Sequence, residues 1–291
     1  MFSLAGMLLV LAAVIGGFLL ENGDLLVLLQ PAEFLIICGG AIGTLMTANP
    51  PAVLMGMVRG TGAVLRKKRF THDEYRETLR TFYGLFQFAR RNSGTVLEAA
   101  LDAPRGGAAF RGNCALVLDA DIRDFVCDTL RTAVSGVVSP GDLDGMLESD
   151  IEVREHYRRL PVESLGTVGE TLPGLGIVAA VLGVLITMAK LGGPPAEVGR
   201  QVATALVGTF LGILLSYGLV LPLAEHIRVI NDAQEQYFRA LRAALVAHAR
   251  GVTPRLSVEF ARRMIPAEVR PGFDEMDRAF RSSVRSISDK P

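Results

Sequence analysis

The stretch Glu170-Thr-Leu-Pro-Gly-Leu-Gly176 sets a carboxylate, a proline and two glycines directly before the apolar run IVAAVLGVLITMA. Pro173 removes a backbone donor and leaves a carbonyl without its helical partner, which is useful only where water or another polar group reaches it. Gly176, Ala180, Gly183 and Thr187 then recur at i+3 or i+4 and share one helical face with Pro173. A second stripe, Ala205, Thr209, Gly212 and Ser216, does the same, with Gly208 and Gly212 in GxxxG spacing and Pro222 near its far end. Small faces let helices approach closely, and hydroxyls can hydrogen-bond across helices or to water. Any one of these residues is equally well explained by ordinary helix packing. Two stripes on consecutive helices favour tight packing around an additional helix or a narrow wet path. The chemistry they would serve is ion passage, with Glu170 at the mouth either handing on a proton or capping a helix N-terminus.

Other chemistry is absent from the sequence. There is no GxxxxGK[ST] phosphate loop, no HExxH and no GxSxG. His72, His156, His226 and His248 are scattered singly and read as surface residues rather than metal ligands. Cys38, Cys114 and Cys127 are odd in number and follow no CxxC spacing, so a disulfide framework is not expected. The 30 basic and 30 acidic residues balance, which argues against nucleic acid as a partner. No enzyme activity and no cofactor are expected.

The elements that must position these stripes are membrane spans. The chain of 291 residues is 50% hydrophobic, with a mean hydropathy of +0.36. A spanning helix needs roughly 20 mostly apolar residues. Four windows qualify: 2–20, 34–58, 171–189 and 201–224, the second interrupted by Asn49-Pro50-Pro51, which kinks or ends its helix. None of the four contains Asp, Glu, Lys, Arg or His. Ion-coupled transport usually places ionisable groups at membrane depth despite their cost. Either the chain is a passive scaffold, or a partner helix supplies the acid.

Charge fixes the expected orientation. The connection 21–33 carries only Glu21, Asp24 and Glu33, whereas the segment after the second window opens with Arg59 and RKKR (66–69). Arg228, Arg239 and Arg242 follow the fourth window. The positive-inside bias places both long segments and both termini in the cytoplasm, although Lys190 and Arg200 in the third connection weaken the asymmetry. The N-terminus lacks a basic n-region and an A-x-A site, so it is expected to remain as an anchor. The layout is a hairpin (1–58), a helical cytoplasmic insertion (59–168), a second hairpin (169–224), and a cytoplasmic helix and tail (225–291).

Within the insertion, Thr71-His-Asp-Glu74 has capping-box spacing ahead of Leu79, Phe82, Leu85, Phe86 and Ala89. Asn92-Ser93-Gly94 is a break, and the next short helix is stopped at Pro104. A further helix is expected over 114–137. Pro140 after Ser139 starts another that runs on towards the third span. Residues 227–250 read as a long amphipathic helix, followed beyond Gly251 by a Pro-containing tail.

Three runs carry a resemblance: GGFLLENGDLLVLLQPAEFLIICGGAIG, ETLPGLGIVAAVLGVLITM and ALVGTFLGILLSYGLVLPLA, with VEFARR near the tail. In this order they resemble the MotA-type stator subunits of the MotA/TolQ/ExbB proton channel family over nearly the whole chain. The resemblance implies a flagellar motor stator in the bacterial inner membrane, with five such chains around two helices of a MotB-type partner whose aspartate carries the ion. It implies that Pro173 and Pro222 lie near that aspartate and couple its protonation to motion. It also places Thr209 along the ion path, with Tyr217 carried over one turn short of Pro222. In FARRNSGTVLE it implies that Arg90 and Glu98 engage the rotor protein FliG, with Arg91 able to assist Arg90. Complementary charge suits such a transient contact, which steers and orients without great affinity.

Sodium-type relatives tend to carry a threonine where this sequence has Ala180. A methyl offers no oxygen to a dehydrated cation, so protons are expected to be the translocated ion. The nearest rival is an ExbB/TolQ-type energiser, which typically has three spans rather than four. The rival from another class is a partner-independent transporter, against which the lack of intramembrane charge speaks.

Overall fold

The computed structural model describes residues 2–64, 70–102, 119–189 and 194–288. The basic cluster 66–69, the Pro104 stop, Cys114 with the start of the 114–137 helix, and Lys190 lie outside the described residues. The described residues are helical, with no strand among them. Four helical stretches are long and apolar enough to cross a membrane. The chain is thus the all-α membrane protein that its hydropathy pattern predicts.

The chain divides into two compact units. The first comprises 1–66 and 156–231. It opens with α1 (Phe2–Leu20), a one-turn α2 (Leu25–Leu28) capped by Asp24, and α3 (Pro31–Ala48). Asn49 adopts an extended backbone and ends α3, and α4 (Pro51–Val64) starts afresh at the second proline. The Asn49-Pro50-Pro51 break therefore ends the second span rather than bending it, because neither proline can donate to the preceding turn. Asn49 is held from both sides: its Nδ2 donates to the Leu45 carbonyl at 3.1 Å, and its Oδ1 accepts from the Ser164 hydroxyl at 2.5 Å.

Ser164 belongs to α8 (Pro140–Met188), which runs unbroken through Pro161 and Pro173. Across a connection follows α9 (Pro195–Leu215), then a π-helical turn (Ser216–Val220), then α10 (Leu221–Ala249). Ile37 and Ala41 of α3, Val168, Leu172 and Ala179 of α8, and Val207 and Leu211 of α9 form a small buried cluster. Most apolar side chains of this unit point outward, as they must if lipid covers them.

The second unit comprises 67–155 and 232–291. It contains α5 (His72–Arg91), α6 (Gly94–Asp102) and α7 (Ala120–Val134). It also contains the start of α8, most of α10, α11 (Pro254–Met264) and α12 (Phe273–Ser288). Leu79, Phe82, Phe86, Phe125, Leu130, Phe238 and Leu241 lie in its continuous core. Full burial of each such side chain contributes about 1.5–3 kcal/mol. The Thr78 and Tyr237 hydroxyls hydrogen-bond each other at 2.6 Å inside it. The break at Asn92-Ser93 and the Ser139–Pro140 helix start lie where the turn residues predict, with Ser139 Oγ accepting from the Asp142 amide at 3.1 Å.

Two expectations are altered. The capping box at Thr71 is not made: Thr71 makes no side-chain cap, and Glu74 Oε2 accepts from the amide of Phe70, one residue before the cap, at 2.6 Å. Phe70 sits at φ +60°, which turns its own N–H towards Glu74 while its ring meets Tyr237 in the core. The Pro-containing tail expected beyond Gly251 carries two helices, α11 and α12. Gly251, at φ +78°, turns the chain after α10, and α11 and α12 pack against α5. They do so because Val258, Ala261, Met276 and Phe280 fall at helical spacing and are buried.

Candidate ion-path site

The two small-residue stripes face each other. A Cβ on Gly176 would lie 2.6 Å from the Gly208 carbonyl oxygen and 3.3 Å from the Thr209 Cα, so α8 and α9 meet backbone to backbone. A Cβ on Gly212 would meet the Leu172 carbonyl at 2.6 Å, one residue before Pro173. Higher along the seam, Gly183 abuts Ala205, and Ala180 is buried beside Gly208. Thr187, also buried, donates to the Gly183 carbonyl at 2.9 Å. Much of the small surface thus serves the contact between the third and fourth spans of one chain.

The expected path residues divide into two groups. Gly176, Ala180 and the half-buried Thr209 converge on the α8–α9 seam, with the half-buried Pro173 at its end. Tyr217 and Pro222 are exposed and do not join them. Tyr217 lies within the π-helical turn, which spacing alone did not reveal. The turn is closed by the Leu221 N–H donating back to Ser216, and the buried Ser216 hydroxyl donates to the Gly169 carbonyl at 2.6 Å. Gly218 lets Val10 of α1 approach the same turn. A single π-turn inserts one extra residue into a helix and recurs at functional sites.

Glu33 is the residue that the sequence reading placed outside the spans. Pro31 occupies the first helical position, so α3 begins three residues before the apolar window does and carries Glu33 in its first turn. QPAE was the available signal: a proline two residues before an acid marks a helix start there. Glu33 is 6% exposed, and its carboxylate lies against Gly208 and Gly183 in the α8–α9 seam.

In the second unit, Arg90 ends α5 and Glu98 lies in α6, both exposed on either side of the Asn92-Ser93 break. Arg91 beside it is exposed as well. Behind Arg90, the His248 imidazole stacks on Phe86 at 4.3 Å. Burial, assisted by the Arg90 charge, pushes this histidine down to about 4. Burial likewise raises the Cys127 thiol to about 11, which leaves it protonated and unreactive. Among the described residues no cluster of His, Cys, Asp and Glu could hold a metal ion.

Motility protein A from Escherichia coli is 34% identical over 97% of this chain and 96% of its own length. The chain belongs to the motility protein A family. The Motility protein A N-terminal profile matches residues 4–93, and that of the MotA/TolQ/ExbB proton channel family matches 118–240. Chemotaxis protein LafT of Vibrio parahaemolyticus is 35% identical over 94% of this chain and 96% of its own. The fold matches the MotAB structure from C. jejuni with a TM-score of 0.75 and 21% identity, covering 91% of this chain and 96% of that one. The flagellar MotAB stator complex from Bacillus subtilis matches at 0.74 and 21%, covering 93% and 98%.

Proposed function

We propose that this chain is the larger subunit of a flagellar motor stator in the bacterial inner membrane, with both termini cytoplasmic. With a MotB-type single-span partner it forms a proton channel whose flux turns the rotor. The observation that carries this reading is the 34% identity to a motility protein A over nearly the full chain. The assembly is five such chains around two partner helices, each bringing an intramembrane aspartate. Apart from the translocated proton no cofactor is involved, and the chain conducts rather than converts.

A proton arriving from the periplasm neutralises the partner aspartate, which is costly to keep charged in hydrocarbon. Neutralisation changes the arrangement of the ring that is lowest in energy, and release to the cytoplasm restores the charge. Pro173 and Pro222 couple the two states, with Thr209 along the path and Tyr217 beside it. Exposure of Pro222 and Tyr217 on the single chain suits residues that meet a partner helix. The exposed Arg90 and Glu98 carry the step to FliG. Each proton brings about 2.3 kcal/mol per 100 mV of membrane potential.

Motility after Pro173→Ala or Arg90→Glu, with membrane insertion verified, tests these roles; each variant is expected to lose swimming. Normal swimming in both would remove the site assignments. A single-span partner with an intramembrane Asp should co-purify with the chain, which a partner-independent transporter does not require. Native swimming should be independent of sodium, and Ala180→Thr probes the position held to set that choice.

A further inference from the structure

The roles assigned above leave Glu33 unused, although its setting is unusual. Its Oε2 is buried and has no hydrogen-bond partner among the described residues. A Cβ on Gly208 would run into Oε2, and one on Gly183 would lie 3.6 Å from Oε1. The two glycines therefore form a cradle that a larger residue at either position would fill.

Among the described residues, no cation of the seam compensates this carboxylate. Residues 171–188 of α8 and 201–215 of α9 include no charged or titratable side chain. Cys38, the other titratable group of α3, lies on its exposed face. Arg200, at the start of α9, pairs with Glu197 at 3.2 Å. An uncompensated carboxylate at membrane depth is costly unless it takes up a proton or another polar ligand.

A second group points the same way. Gln201 Oε1 is also buried and without a partner among the described residues, although its Nε2 donates to Glu197. Gln201, Ala205 and Gly208 recur at i, i+4 and i+7 on one face of α9. The Thr187 hydroxyl lies one turn beyond Gly183 on α8. Gly183 is five residues from the last residue of α8, or about 8 Å along the helix.

We propose that Glu33 is a proton-binding group of this chain itself, an intake station in the Gly183–Gly208 cradle. Gln201 and Thr187 lead from the α8–α9 end of the hairpin to it. The station lies on the periplasmic side of the partner's acid, and so the proposal rests on the stator reading. One O–H bond forms when the carboxylate takes a proton from the aqueous side. That bond breaks when the same proton passes to water or to the partner's acid, so the carboxylate is unchanged over the cycle.

The test uses the complex with its partner, reconstituted in vesicles with an internal pH dye and a potassium diffusion potential. Glu33→Gln is expected to assemble normally and to lower proton flux at least roughly tenfold, whereas Glu33→Asp retains more. Infrared difference spectra between low and high pH should contain a protonated-carboxyl band that vanishes in Glu33→Gln and shifts in Glu33→Asp. Undiminished flux in Glu33→Gln, or a carboxyl band untouched by either variant, overturns the proposal and leaves the stator reading standing. Should Glu33→Gln fail to assemble, the band shift in Glu33→Asp decides. A native complex that conducts no protons overturns both.

Discussion

His248 links packing to acidity at a single side chain. Its folded pKa, about 4, lies below the ordinary 6.5 because the ring is buried and Arg90 is near. An unfolded chain therefore takes up a proton between these values that the folded chain refuses. Its contribution is intact above pH 6.5 and is lost as the pH falls towards 4, by roughly 3 kcal/mol in all. Thermal unfolding in detergent between pH 7 and 4.5 should show the loss, with a shallower slope in His248→Phe. Arg90→Ala should move the midpoint of that loss upward, because it removes a charge that opposes the imidazolium. Gly208 presents the opposite case, where size rather than charge is limiting. An added methyl meets Glu33, the Ala179 Cβ at 3.0 Å and the Ala180 nitrogen at 3.2 Å. Gly208→Ala should destabilise the α8–α9 contact by about 1–3 kcal/mol, read as a lower unfolding midpoint in denaturing detergent.

Among elements, the π-turn Ser216–Val220 joins α9 to α10 and is tied to α8 by one buried hydrogen bond from Ser216 to Gly169. Ser216→Ala should cost about 1 kcal/mol in the same unfolding assay, in the range of interhelical hydrogen bonds in bilayers. The fourth helix was legible in the sequence because its apolar length and small stripe survive any local change of pitch. The π-turn was not, since a wider turn leaves composition and average periodicity untouched. Glu33 escaped for a related reason: a hydropathy window starts at the first apolar residue, whereas the helix starts at Pro31. The terminal helices α11 and α12 were hidden behind prolines and charges. Their amphipathic pattern is plain only once Val258, Ala261, Met276 and Phe280 are seen against α5. Arg90 and Glu98 were assigned through resemblance alone, and their exposed setting would not by itself have distinguished them from other surface charges.

At the scale of the whole molecule, the two units solve different packing problems. The second buries a large aromatic core of its own, and charge supports it at the surface. Arg242 reaches Asp144 at 2.6 Å and contacts Glu148, and Arg239 joins Glu148 at 3.2 Å. The first buries little besides its helix seams and leaves the rest for lipid. That reliance has a consequence at the Asn49 break. α1 and α3, with 19 and 18 residues, are about 28 and 27 Å long. Asn49, pinned by Ser164 and followed by two prolines, stops α3 from lengthening by another turn. At α3 a thicker membrane cannot be met by recruiting more helix, and tilting would shorten its reach further. The bilayer must thin around the protein instead. Proton conduction by the reconstituted complex should therefore be highest in short-chain lipids and fall steadily as the acyl chains lengthen.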